Sequence, residues 1–341
     1  MTRSTFVAAT VLAVSFMAAP SGSAQEPGLK LAVGDFGLGI GDVAWLDGLR
    51  LNFRDRHLER VRGINATIWS PHEDADGTVR GIALGFPLTG AGRLSGLALG
   101  AGIAVSEEFR GVGLAPLGMG AGGRMTGIMV AGLGIGGGGD LEGIMLGGLG
   151  AGLGGSVTGI AIGGLGIGAG GDVTGLLVGG LGGGAGGNVT GIAVGGLGVG
   201  AGGDMRGLLV GGLGSGVGGD LEGIAIGGVG VGAGGEIRGV AVGGVGVGAS
   251  RLRGVALSGV AAGGGEVRGV VIAPAYFRID EGGLLRGVSV SAFNHVRGRQ
   301  HGLSIGLLNI ADELHGVQIG ILNISRNDGS LRVVPILNYI R

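Results

Sequence analysis

The sequence predicts an all-β protein, a parallel β-solenoid built from coils of about 16 residues. Three observations carry that prediction. The first is period: an anchoring glycine returns every sixteen residues at Gly111, Gly127, Gly143, Gly159, Gly175, Gly191, Gly207, Gly223 and Gly239. The second is composition. Of 341 residues 92 are glycine, yet 45% are apolar, only seven are proline and no three-residue period exists. That excludes collagen, and it excludes a disordered chain with too little apolar surface to bury. The third is a fault in the alternation. In the unit from Gly239, Val240 and Val242 share one face, but after Gly243-Gly244 the next pair, Val245 and Val247, has the opposite parity. A straight strand would send the two pairs to opposite sides. A corner at the Gly-Gly lets both point inward, and a corner in every repeat is what a coil requires. The same flip separates Leu303 and Ile305 from Leu308 and Ile310. Helix is excluded because each interior glycine would cost about 1 kcal/mol relative to alanine.

In chain order, residues 1–24 read as a secretory signal peptide: Arg3, an apolar stretch from Phe6 to Ala19, then Gly22-Ser23-Ala24 before Gln25. The apolar stretch is short of the roughly 20 residues of a spanning helix. Residues 25–62, with Phe36, Trp45, Phe53 and a charged run from Arg54 to Arg60, are expected to cap one end of the stack. Residues 63–325 hold seventeen units, because weaker copies anchored at Gly63, Gly81 and Gly96 precede the regular block, and others at Gly254, Gly269, Gly287, Gly302 and Gly316 follow it. Residues 326–341 are expected to cap the other end. Stacked about 4.8 Å apart, the coils would form a rod of roughly 80 Å, each burying its apolar side on the next. The chain has no cysteine, so stacking must supply the stability.

The alternative is a transmembrane β-barrel with one strand per repeat. A mean hydropathy of +0.56 and the expected export favour it. The scarcity of aromatics (4%), which leaves no interfacial girdles, and valines on both parities count against it.

Polarity is confined to two columns. Three residues before the anchor stand Asp140, Ser156, Asp172, Asn188, Asp204, Asp220, Glu236 and Glu266. One residue before it stand Arg62, Arg80, Arg110, Thr158, Thr174, Thr190, Arg206, Arg238, Arg253, Arg268, Arg286, His301 and His315. Stacking turns these into two ladders on one edge, with acids offsetting arginines, as in Asp204 with Arg206 and Glu236 with Arg238. Two uses fit such an edge. It keeps an apolar rod solvated, or Asp172, Asp204, Arg206, Asp220, Glu236, Arg238, Arg253, Arg268 and Arg286 form a surface ladder for an anionic glycan or lipid head group. The rest of the surface is expected to be flat Gly and Ala, suited to self-association or contact with an envelope surface.

No cofactor, metal or catalytic group is expected. Gly132 to Gly137 matches G-x-G-x-x-G without a following helix, and no Gly-Lys-Ser/Thr occurs. Calcium-binding nonapeptides repeat every nine residues, whereas the acids here recur once in sixteen. The stretch His72-Glu73-Asp74-Ala75-Asp76 reads as a solvated loop, and His301 and His315 share one repeat position and should stack. A net charge of −1 gives no field for nucleic acid. The longer segments Trp69–Gly77 and Pro274–Gly283 break the repeat and read as bulged coils or as insertions on a binding face.

The units Gly302 to Ile310 and Gly316 to Ile324, with the form Gly-[Val/Leu]-x-Ile-Gly-[Ile/Leu]-Leu-Asn-Ile, resemble a bacterial surface-repeat family first recognised in spirochaetes and also of Bacteroidota type. Gly63 to Trp69 and Val334 to Asn338 resemble that family's ends, so the likeness covers about 287–340 and 61–69. The glycine block between them departs by losing the Asn and Gln, and the family's lipid-attachment cysteine has no counterpart. The resemblance implies a secreted or cell-envelope protein of a Gram-negative-type bacterium and brings no known activity; with the repeat, the expectation is a non-enzymatic exported structural or surface-interaction element located in the periplasm, the outer membrane or at the cell surface.

Overall fold

The computed structural model describes residues 28–72 and 76–341. The expected signal peptide (1–24), and Glu73 and Asp74 of the acidic loop, lie outside the described residues. In the regular block each coil carries two strands. A long one runs from two residues before the anchor to four after it, as in Val189–Gly195, and a short one follows, as in Gly198–Ala201. Long strands pair with long and short with short in the next coil, in parallel and sixteen residues apart: Val189 opposite Met205, Gly198 opposite Gly214. The chain bends between them at Gly196–Leu197 and again at 202–204. This is a β-solenoid of about 17 turns, and the barrel alternative is corrected. Bacterial membrane barrels are antiparallel, whereas every coil-to-coil pairing here is parallel.

The corner falls at the Gly-Gly, but the expected inward pairs do not face the core. In the unit from Gly239 the buried residues are Ala241 (0% exposed) and Val247 (4%), while Val245 is 48% exposed at the corner. Val240 and Val242 are half-buried on the outer side of the long strand. The physical reason is that the long and short strands of one coil lie back to back, so the residue two after the anchor, Ala241 here and Met145, Leu177 or Leu209 in other coils, faces the short strand while its neighbours turn out.

The anchor is glycine for two reasons. From Gly48 to Gly316 its φ lies between +119° and +155°, which L side chains rarely adopt. A Cβ there would also overlap the carbonyl oxygen of the anchor one coil back, as at Gly191 above Gly175. The column begins at Gly48, inside the segment expected to cap the stack, and Gly48 pairs with Gly63.

The core changes character along the stack. In the block it is mostly aliphatic, and over the six units from Gly143 to Gly223 residues two and eight after the anchor trade size. Large precedes small in Met145/Ala151, Leu177/Gly183 and Leu209/Ser215; small precedes large in Ala161/Ile167, Ala193/Val199 and Ala225/Val231. Near the C-terminus the same interior is polar and hydrogen-bonded. Asn294 Nδ2 donates to Asn309 Oδ1 (2.8 Å) and Asn309 Nδ2 to Asn323 Oδ1 (2.7 Å). At the N-terminal end Arg50 sits at a core position with 0% exposure.

Both ends are closed by strands that discourage further stacking. β1 (Gly28–Val33) pairs antiparallel with β2 (Phe36–Gly41), which lies parallel on β3 (Trp45–Asn52). At the far end the closing strand Arg332–Ile340 runs antiparallel on Leu308–Ser325. It contains Pro335, which lacks an N–H, and Ile336 at φ 67°. A charged residue in β1 (Lys30), and a proline with a left-handed residue in the closing strand, are the devices that keep a sheet edge from recruiting another strand.

Candidate functional site

The acidic column proves to be part of the stacking. Each side-chain oxygen accepts the backbone N–H of the equivalent residue one coil on. Ser156 N–H reaches Asp140 Oδ1 (2.8 Å), Asp172 N–H Ser156 Oγ (3.1 Å), Asn188 N–H Asp172 Oδ1 (2.7 Å) and Asp204 N–H Asn188 Oδ1 (2.7 Å). Asp220 N–H then reaches Asp204 Oδ1 (2.8 Å) and Glu236 N–H Asp220 Oδ1 (2.7 Å). Only a short side chain with an oxygen two bonds from Cβ or nearer fits, which is why the ladder from Asp140 to Asp220 holds Asp, Asn and Ser and accepts no further N–H once Glu236 takes the position. The glycine before it follows from the same geometry. A Cβ at Gly187, Gly203 or Gly219 would collide with the ladder oxygen of Asp172, Asn188 or Asp204.

Since Asn188 serves as well as Asp, Asp204→Asn is expected to leave stability within about 0.5 kcal/mol, whereas Asp204→Ala should lose about 1 kcal/mol with its hydrogen bond. Urea unfolding followed by circular dichroism measures both. Equal losses would show that charge, not the hydrogen bond, matters there.

The arginine column keeps one of the two expected pairs, Glu236 with Arg238, and not the other. Arg206 lies 3.5 Å from Glu222 of the next coil rather than on Asp204. Glu222 and Glu142 occupy the arginine column itself, a signal readable in the sequence but missed. Glu236 is 1% exposed and sits among three arginines. Arg238 donates to its Oε2 at 3.0 Å, Arg253 Nε lies 2.8 Å from Oε1 at ion-pair distance without hydrogen-bond alignment, and Arg251 stands 3.8 Å away. The hydrogen bond and charge of Glu236 push Arg238 further above its ordinary value. Arg268 donates to Glu266 of its own coil. Arg238, Arg253, Arg268 and Arg286 stand in register over four successive coils, followed by His301 and His315, whose rings stack at 4.9 Å. Arg286 has no ion pair among the described residues.

The larger surface feature lies beside this edge. The residues one and three after each of the seventeen anchors face outward from the long strands and form two unbroken columns. All are Ile, Val or Leu except Ala66. Exposures such as 42% at Ile192, 45% at Ile224 and 40% at Ile226 belong to outward side chains shielded only by ladder neighbours. A third apolar column stands at the corner, where Leu133, Leu165 and Leu197 are about half exposed (50%, 51% and 51%). The expectation of a bare Gly and Ala surface is therefore corrected. It holds only for the short strands, where glycines such as Gly152 and Gly168 face out with nothing within 4 Å of an added Cβ.

At the N-terminal end the aliphatic face dips into an open groove of about 980 Å³, lined by Leu51, Leu84 and Leu99 with Phe53, Ile68 and Phe86. Trp69 of the first long segment stacks on Phe53 (6.4 Å between ring centres). The second long segment is a bulged coil: Phe277 and Ile279 are buried, and the register slips between Ile279 and Gly283. Behind the groove Arg50 donates to Asp42 (2.9 Å), Asn65 (2.9 Å) and Asp55. Burial alone would raise the Asp42 carboxyl, but the Arg56 N–H, His57 and the Arg50 charge hold it below the ordinary range. These groups saturate one another and fix the first coil.

Among the described residues no group of three or more His, Cys, Asp or Glu could hold a metal, and no helix is long and apolar enough to cross a membrane. No protein-family profile, curated protein or solved structure matches this chain.

Proposed function

We propose that the protein is a non-enzymatic, exported structural or surface-interaction element of the bacterial cell envelope. The observation that supports this reading is the aliphatic face. A typical monomer shows a largest apolar patch of about 300–600 Å², usually functional. Two unbroken columns over seventeen coils exceed that, so contact through this face is the protein's work. The charged edge supports the same reading in a different capacity. Its acids hold coil to coil and its arginines are largely paired, so it solvates the border of the face. The amino-terminal pattern of residues 1–24 supports export, and the likeness of residues 287–340 to surface repeats supports the envelope.

Fractionation of a Gram-negative-type host making the chain with a C-terminal epitope tests this. The expected result is a product beginning at Gln25, recovered in the periplasmic or membrane fraction. An unprocessed product confined to the cytoplasm would overturn the proposal.

A further inference from the structure

We infer that the aliphatic face is the contact between two copies of this chain, packed face to face as a two-fold dimer. This rests on the reading of that face as the interaction surface and names its occupant.

Area is the first argument. Seventeen coils at about 4.8 Å span about 80 Å, and two columns with their side chains are about 13 Å wide, so each copy offers about 1,000 Å². A stable interface needs about 800 Å² from each partner.

Chemistry is the second. A protein that lies on a lipid surface places Trp or Phe on its apolar side and Lys or Arg around it. These two columns are wholly aliphatic along the array, the aromatics Phe53 and Phe86 are confined to the groove at its N-terminal end, and the flanking column sets Glu142, Glu222 and four threonines among its eight arginines, most of which are held in ion pairs. What suits rows of branched aliphatic side chains spaced one coil apart is another set of rows with the same spacing. Sheets pack this way at about 10 Å, side chains of one face entering the furrows of the other.

Symmetry is the third. The face occupies one side only, the opposite short strands present glycine, and both ends are closed by antiparallel strands. A single self-complementary patch closes after two copies and does not propagate into a fibre.

The experiment is the mass of the purified chain in solution, by light scattering after gel filtration without detergent, across a dilution series. Twice the chain mass is expected for the native sequence. Val194→Lys with Val210→Lys, on the outward column at mid-stack, should reduce it to one chain mass with an unchanged β-sheet spectrum and melting curve. Thr174→Lys with Thr190→Lys, on the neighbouring polar column, should leave it at two. A native chain that is monomeric throughout overturns the inference, as does a paired species that survives the Val-to-Lys changes. Monomers that float with phosphatidylglycerol vesicles overturn it in favour of a lipid surface. A dimer recovered from cytoplasm would keep the inference and sink the export proposal instead.

Discussion

Gly191→Ala is expected to lose at least about 3 kcal/mol of stability, while Gly168→Ala, only 23 residues away, should be neutral or stabilise by up to about 1 kcal/mol. Both are glycines of the same repeat, and both lie in strands. They differ in what an added methyl meets. Gly191 has φ 130°, and its Cβ would overlap the carbonyl oxygen of Gly175 in the preceding coil. That overlap is relieved only by separating two coils, which breaks parallel pairing and, because coils contact only their neighbours, splits the stack into two weaker arrays. Gly168 has no positive φ, and nothing lies within 4 Å of its Cβ. There alanine removes freedom from the unfolded chain and costs the folded one little. Guanidinium unfolding of the two variants measures the difference. Similar losses at both sites would mean that the anchor's glycine is not conformationally required.

The same contrast explains what the sequence could and could not reveal. The period is visible in the letters because Gly175, Gly191 and Gly207 stand on one another, and a stack of identical contacts demands identical residues. The corner is visible because Gly-Gly interrupts an alternation. The facing of the strands was hidden. Val240-Ala241-Val242 is symmetrical about its alanine, and apolarity alone argues for burying the two valines. Only the short strand lying behind the long one decides which parity is inward, and it turns Ala241 in just as it turns in Leu177 and Met145 at the same position. Once that facing is reversed, the aliphatic face follows from the same letters. The role of Asp172 and Asp204 was hidden for another reason. A carboxylate column reads as charge, and its use as a hydrogen-bond acceptor for the next coil depends on a backbone N–H that composition cannot place. Glu142 and Glu222 were legible, since they fall at fixed offsets from Gly143 and Gly223.

Leu177→Ala should cost about 2–5 kcal/mol and Gly183→Val alone about 1–3 kcal/mol, yet the two together should restore most of what either loses. Leu177 is fully buried (0% exposed) between Ala161 and Ala193 of the neighbouring coils. Its removal leaves a cavity between two alanines and opposite a glycine. Gly183 stands across the thin core, six residues on in the same coil. Its Cβ position is 3.4 Å from Ile167 Cγ2, so a first methyl fits and further branching crowds. The native array already contains the doubly substituted arrangement: Ala193 with Val199 and Ala225 with Val231 are that pair. Gly113 shows the crowding directly, because a Cβ there would strike Met119, its partner six residues on. A double-mutant cycle at 177 and 183 should therefore give a favourable coupling above about 1 kcal/mol, larger than distant sites show. Strict additivity would mean that each coil tolerates its core volume independently of the facing strand. A strong coupling would show that the unit of packing is the single coil, whose long and short strands share one core volume, so that the alternation of large-then-small with small-then-large from Met145/Ala151 to Ala225/Val231 is one way of filling that volume and not a condition for stacking.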